Sequence, residues 1–204
     1  MNVTNGGDSM DNKAVIQMLE ERRTIRRYDE SKKIKDDAVA DIKRAAQLAS
    51  SAMNRQPMRY IYVRDEKTVN DIFDITMWGA ALPDGKGRPK IGERPVMFVV
   101  VTYEKSLASP FVEFDSGLAV SNMTLAAHSH GIASCILGSA NLEKLCDMLE
   151  IPDTLKISCV VAFGYPACSS RVVGADGENL RYALDENNNY VVPKRRIEDT
   201  TWEI

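Results

Sequence analysis

Residues 95–103 read Pro-Val-Met-Phe-Val-Val-Val-Thr-Tyr, and this stretch decides the fold. Apolar side chains at consecutive positions mean that both faces of an extended segment must be covered, so Pro95–Tyr103 is a buried central strand. Its apolar run, Pro95–Val101, is far too short to cross a bilayer, which takes about 20 residues. A second buried strand is expected over Ile157–Phe163, and a shorter apolar piece over Ala133–Leu137. Arg59–Arg64 (RYIYVR) is aromatic and β-branched, which also predicts a strand.

Helical periods fill the intervals. Asn12–Arg23 places Val15, Met18, Leu19 and Arg22 on one face, with Asp11 or Asn12 able to cap it. Asp36–Ala49 repeats Val39, Ile42, Ala46 and Ala49 at helical spacing, and Asp36 and Asp37 suit its positive end. Lys67–Ile75 and Leu142–Glu150 are shorter helices, the second stopped by Pro152. Phe114–His130, ended by Gly131, is apolar nearly all round and reads as a buried helix. In a chain this small such a helix needs covering surface that a second subunit could supply. Thr24–Lys33 is a basic connector, Ser50–Pro57 a polar loop, and Met77–Arg94, rich in Gly and Pro, a long loop. From Ala167 onward the tail reads as polar and irregular, with a turn at Asp176-Gly177. Alternating helices with few strands point to a helix-rich α+β layer structure.

A length of 204 residues suggests one domain, expected over 11–204 behind a flexible stretch at 1–10. The first ten residues lack the basic and apolar regions of a signal peptide, so a soluble, cytoplasmic protein is expected. A net charge of −3 offers no global attraction for nucleic acid or anionic membranes. The four cysteines (Cys135, Cys146, Cys159 and Cys168) show no C-x-x-C spacing and read as reduced, structural thiols.

Four short segments carry possible chemistry. Arg22-Arg23-Thr24-Ile25-Arg26-Arg27-Tyr28 sets four arginines and a hydroxyl where a helix ends, and guanidinium forks match phosphate oxygens. The same run would also make an ordinary basic helix terminus. Ser50–Pro57 (SSAMNRQP) offers hydroxyl and amide groups able to meet a heterocycle, or simply turn chemistry. Gly131–Ser139 brackets an apolar piece with glycines that allow close backbone approach to a planar ligand. Lys194-Arg195-Arg196 is a basic group near the C-terminus.

Taken in order, RRTIRRY, ASSAMNRQP, GIASCILG and FGYP resemble the FMN-dependent nitroreductase family, as do Asp115 and Asn122 and the basic group before Ile197-Glu198-Asp199. The resemblance covers about residues 12–200. It implies a nitroreductase-like α+β fold, with a central mixed sheet flanked by helices and an intertwined homodimer. It also implies FMN at the dimer interface and NAD(P)H as a partner. Arg22, Arg23, Thr24 and Arg26 would hold the phosphate, ribityl chain and ring edge, with Arg26 placing positive charge at the pyrimidine edge. Lys194 or Arg195 would return to the phosphate, the register between them left open. Ser51, Asn54 and Gln56 would contact the flavin, partly across the interface, and the backbone at Leu137 and Gly138 would lie along the ring. Met58, Met53 and Arg196 depart from the family's frequent Trp, Gly and Pro.

The implied activity is ping-pong hydride transfer from NAD(P)H through the flavin to nitroaromatics, quinones or similar electron-poor acceptors, with no catalytic residue of the protein required. The alternative is a flavin protein of the same fold serving reductive dehalogenation, flavin breakdown, storage or sensing. Competing chemistries read poorly. His128 and His130, two apart, do not share a helix face for a metal. Cys135 has no base near it in sequence, and Gly85-x-Gly87 lacks the rest of a nucleotide-binding fingerprint. No acidic or basic ribose-reading motif is present.

Overall fold

The structure, a computed structural model, describes residues 12–204. The flexible stretch expected at 1–10 and a cap at Asp11 lie outside the described residues. Helices α1 (Asn12–Glu21) and α2 (Asp36–Gln47) precede strand β1 (Met58–Val63) and helix α3 (Glu66–Asp74). Strand β2 (Met97–Glu104) leads to the long helix α4 (Val112–Ser129). Strand β3 (Ala133–Leu137), helix α5 (Leu142–Met148) and strand β4 (Leu155–Gly164) complete the main layer.

The four strands lie in the order β1-β2-β4-β3. Strand β2 explains why the sequence there is apolar without a break. Met97, Val99 and Val101 pack with Val39, Ile42 and Met123 of α2 and α4, whereas Phe98 and Val100 pack with Ile72, Phe73 and Leu145 of α3 and α5. Side chains alternate across a strand, so a central strand covered on both sides must be apolar at every position. Helix α3 is capped by Asp65, whose carboxylate accepts from the Thr68 backbone N–H at 2.9 Å.

Two expectations need correction. The central sheet was expected to be mixed, yet every pairing between its strands is antiparallel. Its connections return each strand beside a neighbour running the other way, and parallel pairing enters only at the Thr24–Ser134 bridge against the outer edge of β3. The tail after Ala167 is not irregular. Strands β5 (Ser170–Gly174), β6 (Ala183–Leu184) and β7 (Tyr190–Lys194) form a second, mixed sheet, in which β5 pairs parallel and β6 antiparallel to β7. These strands are short, and they are fixed by pairing across some twenty residues of chain, which local patterning does not show. Helix α4, expected to need more cover than one subunit gives, is not covered all round in one protomer. Its inner side, with Ala119, Val120, Met123 and Ala127, is buried, but Phe114 is 70% and Leu118 48% exposed, as is Phe111 just before the helix.

Two close approaches explain glycines in otherwise unrelated motifs. A Cβ on Gly164 of FGYP would fall 2.9 Å from the ring of Tyr28, the fully buried last residue of RRTIRRY. In the long loop, Gly79 and Gly87 meet so closely that a Cβ on either would collide with the other's backbone.

Candidate active site

The arginine run continues α1 into a connector beside β3. Ile25 N–H donates to the Ser134 carbonyl at 3.0 Å, and the Tyr28 hydroxyl turns back to the Ile25 carbonyl at 2.6 Å. These bonds fix the backbone and distribute the side chains differently. Arg23 donates to the carbonyls of Arg22 and Leu19 at 2.7 and 2.6 Å, satisfying the exposed end of α1. Arg27 donates to the Asn188 carbonyl and stands 3.9 Å from Glu93. Arg22 and Arg26 have no hydrogen bond or ion pair from their guanidinium groups among the described residues. Burial, followed by the like charge of Arg23, lowers the pKa of Arg22 below the usual arginine value. Arg22 lines a cleft of about 310 Å³ with Arg23, His128, Ser134 and Ser170. Ser170 Oγ is buried there without a partner. A half-buried cation with unengaged donors and an orphaned hydroxyl thus line one cleft, an arrangement that suits an anion.

The polar loop lies at the opposite end of α4. Gln56 N–H donates to Ser51 Oγ at 2.9 Å, and Gln56 Nε2 to Asn54 Oδ1 at 3.2 Å. Ala52 N–H donates to Asp115 Oδ1 at 2.9 Å, in the first turn of α4. Asp115 is only 3% exposed, and its Oδ2 has no partner. Met53, Asn54 and Gln56 all adopt positive φ, at 51°, 51° and 49°. The loop therefore turns sharply and presents its amide side chains outward, at some cost in backbone strain. It walls a cleft of about 580 Å³ with Asp115, Met58 and Arg59.

The expected site residues thus fall into groups. Arg22, Arg23, Thr24 and Arg26 run beside β3, whose last residue, Leu137, is buried and is followed by the exposed Gly138. Ser51, Asn54 and Gln56 form the second group. The groups share no cleft in one protomer. Asp115 and His128, which mark the two ends on α4, are about 20 Å apart at 1.5 Å per helical residue. Lys194 and Arg195 line neither cleft. The Lys194 carbonyl accepts from Ala175 N–H at 2.8 Å, and Arg195 pairs with Glu178 at 3.1 Å. Asp115 holding the loop and Tyr182 lying against Arg26 were not singled out as contacts by the sequence reading. The carboxylate on a buried helix was the one available signal.

The residues weighed for other chemistry have separate environments. His128 faces Glu21 at 3.7 Å and His130 faces Asp41 at 2.8 Å, two different carboxylates on two different helices. Burial pushes the Cys135 thiol up to about 11, with Arg26 pulling it partly back, so it is a poor source of thiolate near neutral pH.

Comparisons with known proteins give the class to which this fold and site belong. The nitroreductase family model matches residues 19–165, and the chain belongs to that family. It is 30% identical over 161 residues to a candidate NADH dehydrogenase/NAD(P)H nitroreductase of Archaeoglobus fulgidus, covering 74% of this chain and 84% of that protein. It is 25% identical over 170 residues to the iodotyrosine deiodinase of Thermotoga neapolitana, covering 76% and 89%. Among solved structures, a candidate nitroreductase from Desulfovibrio desulfuricans in complex with FMN superposes with a TM-score of 0.63 at 29% identity, covering 80% of this chain and 92% of that one.

Proposed function

We propose that this chain is an FMN-dependent oxidoreductase that uses NAD(P)H to reduce nitroaromatics, quinones or related electron-poor acceptors, and that it works as a homodimer. The observation carrying this reading is the pair of arginines, Arg22 and Arg26, whose donors are unengaged beside β3. FMN fits the donor set: Arg22 suits its phosphate, and Arg26, further along β3, suits the electron-rich edge of its ring. When bound, FMN supplies the redox chemistry, accepting a hydride equivalent from NAD(P)H and passing it to the acceptor in a separate half-reaction. The protein binds, orients and places charge. Lys194 or Arg195 would add to the phosphate site when the tail is docked.

Homodimerisation supplies the second half. The exposed Phe111, Phe114 and Leu118 form an apolar strip along α4, and Ile197, Trp202 and Ile204 of the tail are also exposed. A two-fold axis crossing α4 would bury the strip and bring the Ser51–Gln56 loop of one copy to the arginine end of the other. Each flavin would then receive phosphate contacts from one subunit and amide contacts from its partner.

Purified protein should be yellow and carry FMN. A colourless preparation that also fails to bind added FMN overturns the proposal. The resemblance to an iodotyrosine deiodinase favours reductive dehalogenation as a second reading. Steady NADH or NADPH oxidation with a quinone supports the first reading; turnover restricted to halogenated phenols supports the second.

A further inference from the structure

The family match ends at Tyr165, and the chain continues into the β5–β7 sheet. This sheet is attached to the arginine run by several contacts. Ala167 N–H donates to the Arg27 carbonyl at 2.9 Å, and the Arg27 side chain reaches the Asn188 carbonyl. Tyr190, the first residue of β7, is 1% exposed and packs against Tyr182 with ring centroids 6.2 Å apart and planes inclined at 57°. The two rings make an aromatic corner, and Arg26 sits in it. Its guanidinium carbon lies 4.6 Å from the Tyr182 centroid and 5.5 Å from that of Tyr190.

Stacking on an aromatic face uses the flat side of a guanidinium and leaves its N–H groups, which lie in the plane, pointing outward. Arg26 makes no hydrogen bond or ion pair among the described residues, so all five donors remain available. An exposed arginine on a connector would sample many rotamers. One held in an aromatic corner has fewer rotamers open to it.

We propose that Tyr182 is a positioning residue for the flavin: it holds the Arg26 guanidinium so that its in-plane donors meet the pyrimidine edge of the ring, and the β5–β7 sheet thereby sets the flavin potential. This rests on the FMN reading above, and specifically on Arg26 at the ring edge. Reduced flavin carries negative charge at that edge, so a well-oriented cation favours the reduced over the oxidised form. Tyr190 is the buried anchor of the corner, whereas Tyr182 is only partly buried and can be changed with less risk to the fold.

The test measures two quantities on the full-length protein: FMN affinity in the oxidised state and the two-electron midpoint potential of bound FMN. The variants are Tyr182→Phe, Tyr182→Leu, Arg26→Ala and the Arg26→Ala/Tyr182→Leu pair. Tyr182→Leu is expected to weaken the preference for reduced flavin about five- to tenfold, a downward shift of about 20–30 mV for a two-electron couple. Tyr182→Phe keeps the aromatic face and should keep the potential. In the Arg26→Ala background, Tyr182→Leu should add nothing. A Tyr182→Leu protein at the parental potential, while Arg26→Ala lowers it, overturns the positioning role alone. An equal shift from Tyr182→Leu with and without Arg26 also overturns it, because the effect would not pass through the arginine. If Arg26→Ala itself leaves the potential unchanged in a protein that still binds FMN, Arg26 is not at the ring edge and both statements fall. Should Tyr182→Leu not fold, Tyr182→Met replaces it, retaining bulk without the aromatic face.

Discussion

The two ends of α4 are built on opposite principles. At its C-terminal end the connector has no residue at positive φ and is anchored by the Thr24–Ser134 bridge and the Tyr28 hydroxyl, while the Arg22 and Arg26 side chains are left with donors to offer. At its N-terminal end the side chains largely satisfy one another, and the backbone carries the irregularity, with three non-glycine residues at positive φ. One end offers charge on a relaxed frame. The other offers amides on a strained frame held by a buried carboxylate. Under the reading proposed above, the first end meets the phosphate and the ring edge and the second adds amide contacts, so a site shared between two copies would combine them.

Breaking the dimer should have the largest effect. Replacing Leu118, which is 48% exposed in one protomer, by Arg places a charge in the centre of the proposed interface. Light scattering should then show a shift from about twice 22.7 kDa to the single-chain mass. FMN affinity should fall sharply if each flavin takes contacts from both subunits, as proposed. A monomeric Leu118→Arg protein that binds FMN as tightly as the parent would show that one end of α4 suffices.

Next in size is the loss of a single arginine. If Arg22 holds the phosphate as proposed, Arg22→Ala would remove a charge-assisted hydrogen bond of about 1.5–3 kcal/mol, which corresponds to roughly ten- to a hundredfold weaker FMN binding. Riboflavin, which lacks the phosphate, should lose much less. Arg23→Ala should cost less than Arg22→Ala, since Arg23 already donates to two α1 carbonyls. Equal losses for FMN and riboflavin in the Arg22 variant would mean that this end does not read phosphate.

The two ends also differ in how much the sequence discloses. Strand β2 and helices α2 to α5 could be placed within two or three residues, because burial on both faces or on one stripe leaves a period in the chain. The arginine run was visible for a similar reason: a cluster of one residue type at a helix end is local. What could not be read is what depends on distant partners. Nothing near Asp115 announces that it accepts from Ala52, and nothing near Tyr182 announces Arg26. The β5–β7 sheet was hidden likewise, since Val172 and Val173 gain meaning only opposite Val192 and Pro193. Phe114 and Leu118 looked like core because their apolar character reads the same whether or not one protomer covers them.

The smallest expected effect tests the strained end. Met53 has φ 51° and is 75% exposed, so it holds a left-handed conformation without burying its side chain in return. A left-handed conformation costs an L-residue about 1–2 kcal/mol, whereas glycine adopts it freely but loses about 0.5–1 kcal/mol in unfolded-state entropy. Met53→Gly should therefore be neutral to stabilising by up to about 1 kcal/mol, which raises the thermal midpoint by about 2–4 °C in a domain of this size. Asn54 and Gln56 share the conformation, but their side chains bond to each other, so glycine there would remove a contact as well as strain. The same substitution at Asn54 should accordingly lower the midpoint or leave it unchanged. If the Met53 loop is strained only to present the amides to flavin, Met53→Gly should leave FMN affinity within about twofold, since the backbone it prefers is already in place. A loss of stability larger than the glycine entropy cost of about 1 kcal/mol would mean that the Met53 side chain makes a stabilising contact despite its exposure.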